Sequence, residues 1–289
     1  MSDISDDHHL IIPEFSVRFW GVRGSTPAPG PHTVQYGGNT PCVEIRAGGR
    51  VILIDCGSGI RAFGRSMYMA PGNQLDLLMS HYHWDHVQGF PFFGPAYHAE
   101  NKIQVYGPPV STGGSIEDVF KNQMVPPYFP VPMDIMKAEM HFDEVKPNDQ
   151  FQIGPVDILA KQLNHSDITL GYRITWKGIS VAYVSDTEHI AGKLDSNVLA
   201  LAEGADVLIY DAMYTDKEYL DPKAPKAGWG HSTWQEGLKI AEHANVGRFV
   251  SFHHDPIHND RFLRQVEKEM QLQNANACVA YEGLVIGLM

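Results

Sequence analysis

Basic residues are in short supply. The 289-residue chain has 22 Lys and Arg against 34 Asp and Glu, a formal net charge of −12 with histidine neutral. Long nucleic acids are gripped largely by neutralising phosphates with Lys and Arg, so this balance leads us to expect no long nucleic acid as a partner. A small anionic substrate stays compatible, because bound metal reverses the local sign. Cysteine is scarce as well. Cys42, Cys56 and Cys278 form an odd set without C-x-x-C spacing. That excludes a disulfide framework and reads as reduced core thiols, with a cytoplasmic location expected and Cys56 read as a packing residue. Long apolar runs are missing. Those present, such as Val51-Ile52-Leu53-Ile54 and Val207-Leu208-Ile209-Tyr210, are strand-sized. A membrane span needs roughly 18 apolar residues, so no membrane partner is expected. The acidic, polar stretch Ser2 to His9 has neither the basic flank nor the apolar segment of a secretory signal. No short-period repeat is present, which argues against a solenoid.

Against these absences, 43% of residues are hydrophobic and only 19% are charged, enough for a large core and inconsistent with global disorder. Residues 1–14 read as a tail or exchange arm, and 15–289 as the folded domain. Strands are expected over Ser16–Trp20, Pro41–Arg46 and Arg50–Asp55, the last two joined by the hairpin signal Gly48-Gly49. A short helix follows around Ile60–Met69, then strands Leu75–Met79 and Lys102–Tyr106. The segment 108–135 stands apart as an insert. Ser115–Gln123 suits a helix, but the four prolines of Val125–Pro132 rule out regular structure there and suggest a lid or a dimer contact. The second half reads as strands Phe151–Ala160, Leu170–Trp176, Ile179–Ser185, Asp206–Tyr210, Arg248–Phe252 and Cys278–Leu288. Helices are expected over Leu194–Glu203, Thr233–Ala244 and Asp260–Gln271. Thr233 with Glu236 matches a capping box, and Trp234, Leu238 and Ala241 share one face. Strands followed by helices, repeated in both halves, suggest an α/β protein with two sheets face to face and helices outside, an αββα four-layer sandwich.

Fifteen histidines are present, and their clustering matters most. Ser80-His81-Tyr82-His83-Trp84-Asp85-His86 places four strong ligand residues within six positions at a strand exit. On a strand end His81 and His83 point the same way, while Asp85 and His86 diverge from them past the turn. That arrangement suits two adjacent divalent metals, one taking His81 and His83 and the other Asp85 and His86. His-rich ligation suits Zn2+, with Mn2+ and Fe2+ also compatible.

The pattern H-x-H-x-D-H resembles the signature of the metallo-β-lactamase superfamily, and the resemblance runs over roughly residues 16–289. It implies the αββα metallo-β-lactamase fold and a wider site. Asp55, in Leu53-Ile54-Asp55-Cys56-Gly57, would orient the ligand loop without binding metal. His165 would complete the site of His81 and His83. Taken alone a single His after a strand is an ordinary surface or core residue, and Ser166-Asp167-Ile168-Thr169 stands where relatives often carry Pro and Gly. Asp186, in Val184-Ser185-Asp186-Thr187, would bridge the two metals. His253 is preferred over its neighbour His254 as the last ligand, because it comes first after its strand.

Gly230-His231-Ser232-Thr233 resembles the C-terminal part of the tRNase Z-like and cyclic-nucleotide phosphodiesterase-like branch. There a His acts on the scissile phosphate, backed by an acid that Asp211 matches. Asp85, His231 and Asp211 are therefore the expected catalytic residues. Gly21–Pro27 and Tyr36–Thr40 also resemble that branch. Arg23 or Asn39 there could reach substrate or serve structural turns. Where tRNase Z carries a basic arm, the 108–135 insert has one basic residue, Lys121, and is rich in proline and aromatics, of which Tyr128 and Phe129 are suited to stacking or to packing. Together these features suggest a metal-dependent phosphodiesterase for a small phosphodiester such as a cyclic nucleotide, working as a homodimer. The alternatives are a thioesterase or lactonase of the same fold, and a non-enzymatic metal-bearing effector that binds a metabolite.

Overall fold

The computed structural model describes residues 13–67 and 72–289. Two seven-stranded sheets form its centre. The first holds β1 (Ser16–Gly21), β2 (Cys42–Ala47), β3 (Arg50–Ile54), β4 (Gln74–Leu78), β5 (Lys102–Gly107) and β6 (Glu139–Glu144) side by side in chain order. The second holds β7 (Gln150–Ile153), β8 (Val156–Gln162), β9 (Leu170–Trp176), β10 (Ile179–Val184), β11 (Val207–Asp211), β12 (Arg248–Phe252) and β13 (Ala277–Val279), again in order. The last strand, β14 (Val285–Gly287), crosses back to pair with β1.

The central strands are apolar on both sides because both sides are covered. Side chains alternate across a strand, so β10 sends Val181 and Tyr183 one way and Ala182 and Val184 the other. The first pair joins Phe19, Ile45, Ile54 and Ile174 in the core between the sheets. The second pair packs under α4 (Ser196–Ala202), α6 (Trp234–His243) and α7 (Asp260–Gln273), through residues such as Leu201, Trp234 and Val266. On the opposite flank α1 (Ile60–Met67) and α3 (Ile116–Gln123) cover the first sheet, with Phe63 and Phe120 against Leu53, Leu77 and Val105. Helix, sheet, sheet, helix is the four-layer order. Fully burying each such aliphatic or aromatic side chain stabilises the fold by about 1.5–3 kcal/mol relative to leaving it exposed.

The structure departs from the sequence reading in several places. Phe151–Ala160 is not one strand. Gly154 adopts φ +57 and, with Pro155, folds the segment into a hairpin that pairs Ile153 with Val156. The closing strand is likewise two, since Tyr281–Gly283 turns the chain from one sheet to the other. β6 was not expected. Its Met140 and Phe142 alternate with the exposed Glu139, His141 and Asp143, a charged edge of the kind that discourages strand addition. Thr233 caps α6 by accepting from the Glu236 N–H, but Glu236 bonds Lys239 and does not return to Thr233, so the box is half made. α3 has the full reciprocal box, between Ser115 and Asp118. Of the expected tail only Pro13 and Glu14 lie within the described residues, and the end of the helix expected to Met69 lies outside them.

Candidate metal centre

Every residue of the cluster sits just past the carboxyl end of a strand: Asp55 after β3, His81 to His86 after β4, His165 after β8, Asp186 after β10, Asp211 at the end of β11 and His253 after β12. Three of these exits turn in the left-handed region, with φ +64 at Asp55, +58 at Asp186 and +60 at His253. A non-glycine residue held there costs about 1–3 kcal/mol, and Asp and His bear it better than most. Three strained exits converging on one point mark a place where side-chain direction matters.

β4 ends at Leu78, so His81 and His83 do not stand on a strand as the sequence suggested. They leave an extended loop instead, and their rings still converge at 4.4 Å. Asp85 and His86 sit on the single turn α2 (Trp84–Val87). His83 Nδ1 lies 3.1 Å from His165 Nε2. His86 Nε2 lies 3.3 Å from both Asp85 Oδ2 and His253 Nε2, and His253 Nε2 lies 3.2 Å from Asp85 Oδ2. Asp186 stands between the two groups. Its Oδ2 is 3.1 Å from His86 Nε2 and 3.3 Å from His253 Nε2, while its Oδ1 is 3.8 Å from both His81 Nε2 and His165 Nε2.

The donor set fits divalent cations. Asp55 is fully buried and accepts from the Ser80 N–H and hydroxyl, the Tyr183 hydroxyl and His86 Nδ1. Because the Ser80 hydroxyl proton goes to Asp55, Ser80 Oγ accepts from His81 Nδ1 at 3.0 Å. His165 Nδ1 donates to the Gly230 carbonyl at 2.8 Å. Each of these rings is thereby held with its Nε2 facing the cluster, the usual way a metal-binding imidazole is oriented. His81 Nε2 is buried and has no hydrogen-bond partner among the described residues. Two groups, His81, His83 and His165, and Asp85, His86 and His253, each have donor atoms close enough to hold an ion, and Asp186 forms further such groups with both.

Charge follows the same plan. Burial disfavours ionised Asp85 and Asp186, yet the surrounding histidines hold both carboxyl groups well below the usual range. Burial also opposes a proton on His86, but Asp186, Asp85 and Asp55 outweigh it and raise that pKa well above the ordinary value. His81 is pushed down by burial and by its histidine neighbours.

At the edge of the cluster His231 Nδ1 donates to Asp211 Oδ2 at 2.9 Å and lies 3.9 Å from Asp186 Oδ1. Asp211 is fully buried and also accepts from the Thr187 and Met213 N–H groups. Burial would lower the His231 pKa, but Asp211, by charge and hydrogen bond, and then Asp186 raise it to about 9.

Other candidates lie elsewhere. His254 turns away, its Nε2 bonded to the Ala280 carbonyl. Arg23 is fully buried and ties the carbonyls of Gly37, Asp255 and His258, while Asn39 is held by Glu282 and Ser58, so both serve the loops around the site. Cys56 is buried against Met79, and burial raises its thiol well above the ordinary value. Phe129 packs against Phe92 and Tyr128 is exposed. Sequence reasoning missed Ser80, Ser25 and Glu188. Ser25 N–H donates to Asp85 Oδ2 at 2.7 Å. Glu188 accepts from the Tyr219 hydroxyl and the N–H groups of Gly228 and Gly230, fixing the loop that holds His165.

The family model described as a beta-lactamase superfamily domain matches residues 50–254. This chain belongs to the metallo-β-lactamase superfamily. The fold is that of metal-dependent hydrolases and implies divalent metals, typically two. Similarity falls on the tRNase Z-like side. The chain is 23% identical over 296 residues to the Ribonuclease Z of Picrophilus torridus, covering 85% of this chain and 87% of that one. Among solved structures, the metallo-beta-lactamase fold protein YhfI from Bacillus subtilis superposes with a TM-score of 0.70 at 21% identity, over 94% of this chain and 99% of that one. The short form of human tRNase Z gives 0.67 at 19%, over 95% and 99%. The ribonuclease relatives overturn the expectation that long nucleic acids are excluded as partners. Net charge averages the whole surface, whereas a substrate meets the field of one cleft, where bound cations dominate.

Proposed function

We propose that the chain is a two-metal phosphodiesterase acting on nucleotide phosphodiesters. The observation that carries this reading is the His231–Asp211 pair beside Asp186. A thioester needs no such pair, because its thiolate departs without a strong acid. His81, His83 and His165 would hold one divalent cation, Asp85, His86 and His253 the other, with Asp186 shared. Such cations polarise phosphoryl oxygens and lower the pKa of water, supplying a nucleophile at neutral pH. The chain's own residues do the rest. Asp85 Oδ2, fixed by Ser25 N–H, faces His86 and His253 and orients the attacking water. Asp211 holds the His231 tautomer with Nε2 turned outward and favours its protonated form. His231 then delivers a proton to the departing alkoxide. The free, mostly buried thiols accord with a reducing compartment.

The test is a panel of bis(p-nitrophenyl) phosphate, cyclic AMP and a short RNA, assayed with Zn2+, Mn2+ and Fe2+. Hydrolysis of at least one diester by wild-type protein is expected, with loss of on the order of 10²-fold or more in His231→Ala on the alkoxide-leaving substrates. Thioester or lactone turnover that ignores His231→Ala would replace this reading. No turnover at all would leave the non-enzymatic effector.

A further inference from the structure

Beside His231 the chain places an unneutralised cation between two aromatic rings. Lys226 Nζ lies 4.3 Å from the centre of the Trp229 ring and 5.4 Å from that of Tyr214. Tyr214 meets the His231 ring edge-on, with centroids 6.3 Å apart. Trp229 stands two residues before His231 and next to Gly230, whose carbonyl holds His165. The loop is fixed at both ends. Lys226 N–H donates to the Tyr219 carbonyl, Trp229 N–H donates to the Lys226 carbonyl, and Glu188 takes the N–H groups of Gly228 and Gly230.

Neither side chain is explained by the fold. Trp229 keeps 61% of its surface exposed, so packing does not account for a tryptophan there. Lys226 makes no ion pair among the described residues, in a chain with twelve more acids than bases. Held over aromatic faces, a lysine ammonium keeps its charge and gains a fixed position. A flat apolar surface beside a fixed cation matches a nucleobase attached to a phosphate, since bases stack on aromatic side chains and phosphates pair with ammonium groups.

We infer that Lys226 and Trp229, backed by Tyr214, form a binding rim for the nucleotide unit next to the scissile bond, with the base on Trp229 and a non-reacting phosphate on Lys226. This rests on the phosphodiesterase reading and names the substrate feature that the site selects. Lys226 and Trp229 set specificity and take no part in bond breaking.

The experiment compares the dinucleotides pApA and ApA with bis(p-nitrophenyl) phosphate on metal-loaded wild type, Lys226→Gln and Trp229→Ala. Wild type should show a lower KM for pApA than for ApA, by on the order of tenfold, the size of one charged contact. Lys226→Gln should erase that ratio with kcat retained. Trp229→Ala should raise KM for both dinucleotides and keep the pApA-to-ApA ratio. An unchanged pApA-to-ApA ratio in Lys226→Gln, or wild-type turnover of the aryl diester alone, would overturn the assignment. If wild type hydrolysed none of the three, the phosphodiesterase reading would fail. Tryptophan fluorescence would then decide the rim by itself: quenching by AMP that weakens in Lys226→Gln supports it, and no quenching overturns it.

Discussion

His86 Nδ1 and Asp55 Oδ2 lie 2.9 Å apart, both fully buried, at the floor of the metal centre. Their elements are neighbours only because β3 and β4 run parallel, with Ile54 paired to Leu78, so both chain exits open on the same spot. Asp55 serves four donors, and one of them is a ligand ring.

Asp55→Asn is therefore expected to act twice. An amide presents N–H groups where only acceptors fit, and leaves donors of Ser80, Tyr183 or His86 unpaired. A buried unpaired polar group costs about 1–3 kcal/mol. Losing the partner of a ligand imidazole weakens metal binding about 10–100-fold. Thermal unfolding with and without metal separates the two effects. A lower Tm in both, with a smaller metal-induced gain, is the expected outcome.

Gly230→Ala should damage one half of the centre. Gly230 has φ +82, and a Cβ there would fall 2.4 Å from His165 Nδ1. The loop must shift, and the carbonyl that fixes His165 shifts with it. Metal analysis after limited dialysis should show loss of about one equivalent while the Asp85, His86 and His253 group keeps its ion. Full retention of both would show that the Gly230 carbonyl does not govern His165.

Metal uptake should release protons. In the metal-free protein burial opposes the charge on His86, but Asp186, Asp85 and Asp55 outweigh it and favour the protonated ring. Ligation needs the neutral ring, so metal binding at the Asp85, His86 and His253 group displaces that proton, and affinity there must rise with pH. Calorimetric titration with Zn2+ near pH 7 in buffers of differing ionisation enthalpy should report net proton release. In His86→Ala the release should fall.

Much of the fold was legible because the central strands are buried on both faces and so read as continuous apolar runs between turn residues. The His81 to His86 segment was legible because four ligand residues, three His and one Asp, fall within six positions. The hairpin at Gly154-Pro155 and the turn at Tyr281–Gly283 were missed because apolar residues resume directly after each and read as one strand, although Gly-Pro is itself a turn signal. β6 was hidden because an edge strand offers only Met140 and Phe142. The supports of the site were least legible. Glu188 reaches Gly228 and Gly230, 40 and 42 residues away, and no local spacing encodes such a contact. The exclusion of nucleic acid failed for a related reason: composition reports no local field.

The central claim is that His231, held by Asp211, protonates a departing alkoxide. p-Nitrophenolate leaves without a proton, whereas a nucleoside alkoxide needs one. The decisive measurement is kcat for wild type and His231→Ala on bis(p-nitrophenyl) phosphate and on a dinucleotide, with metal content matched. The account predicts a loss of about 10²–10⁴-fold on the dinucleotide and a much smaller loss on the aryl diester. Equal losses on both substrates, or none on the dinucleotide, would contradict it.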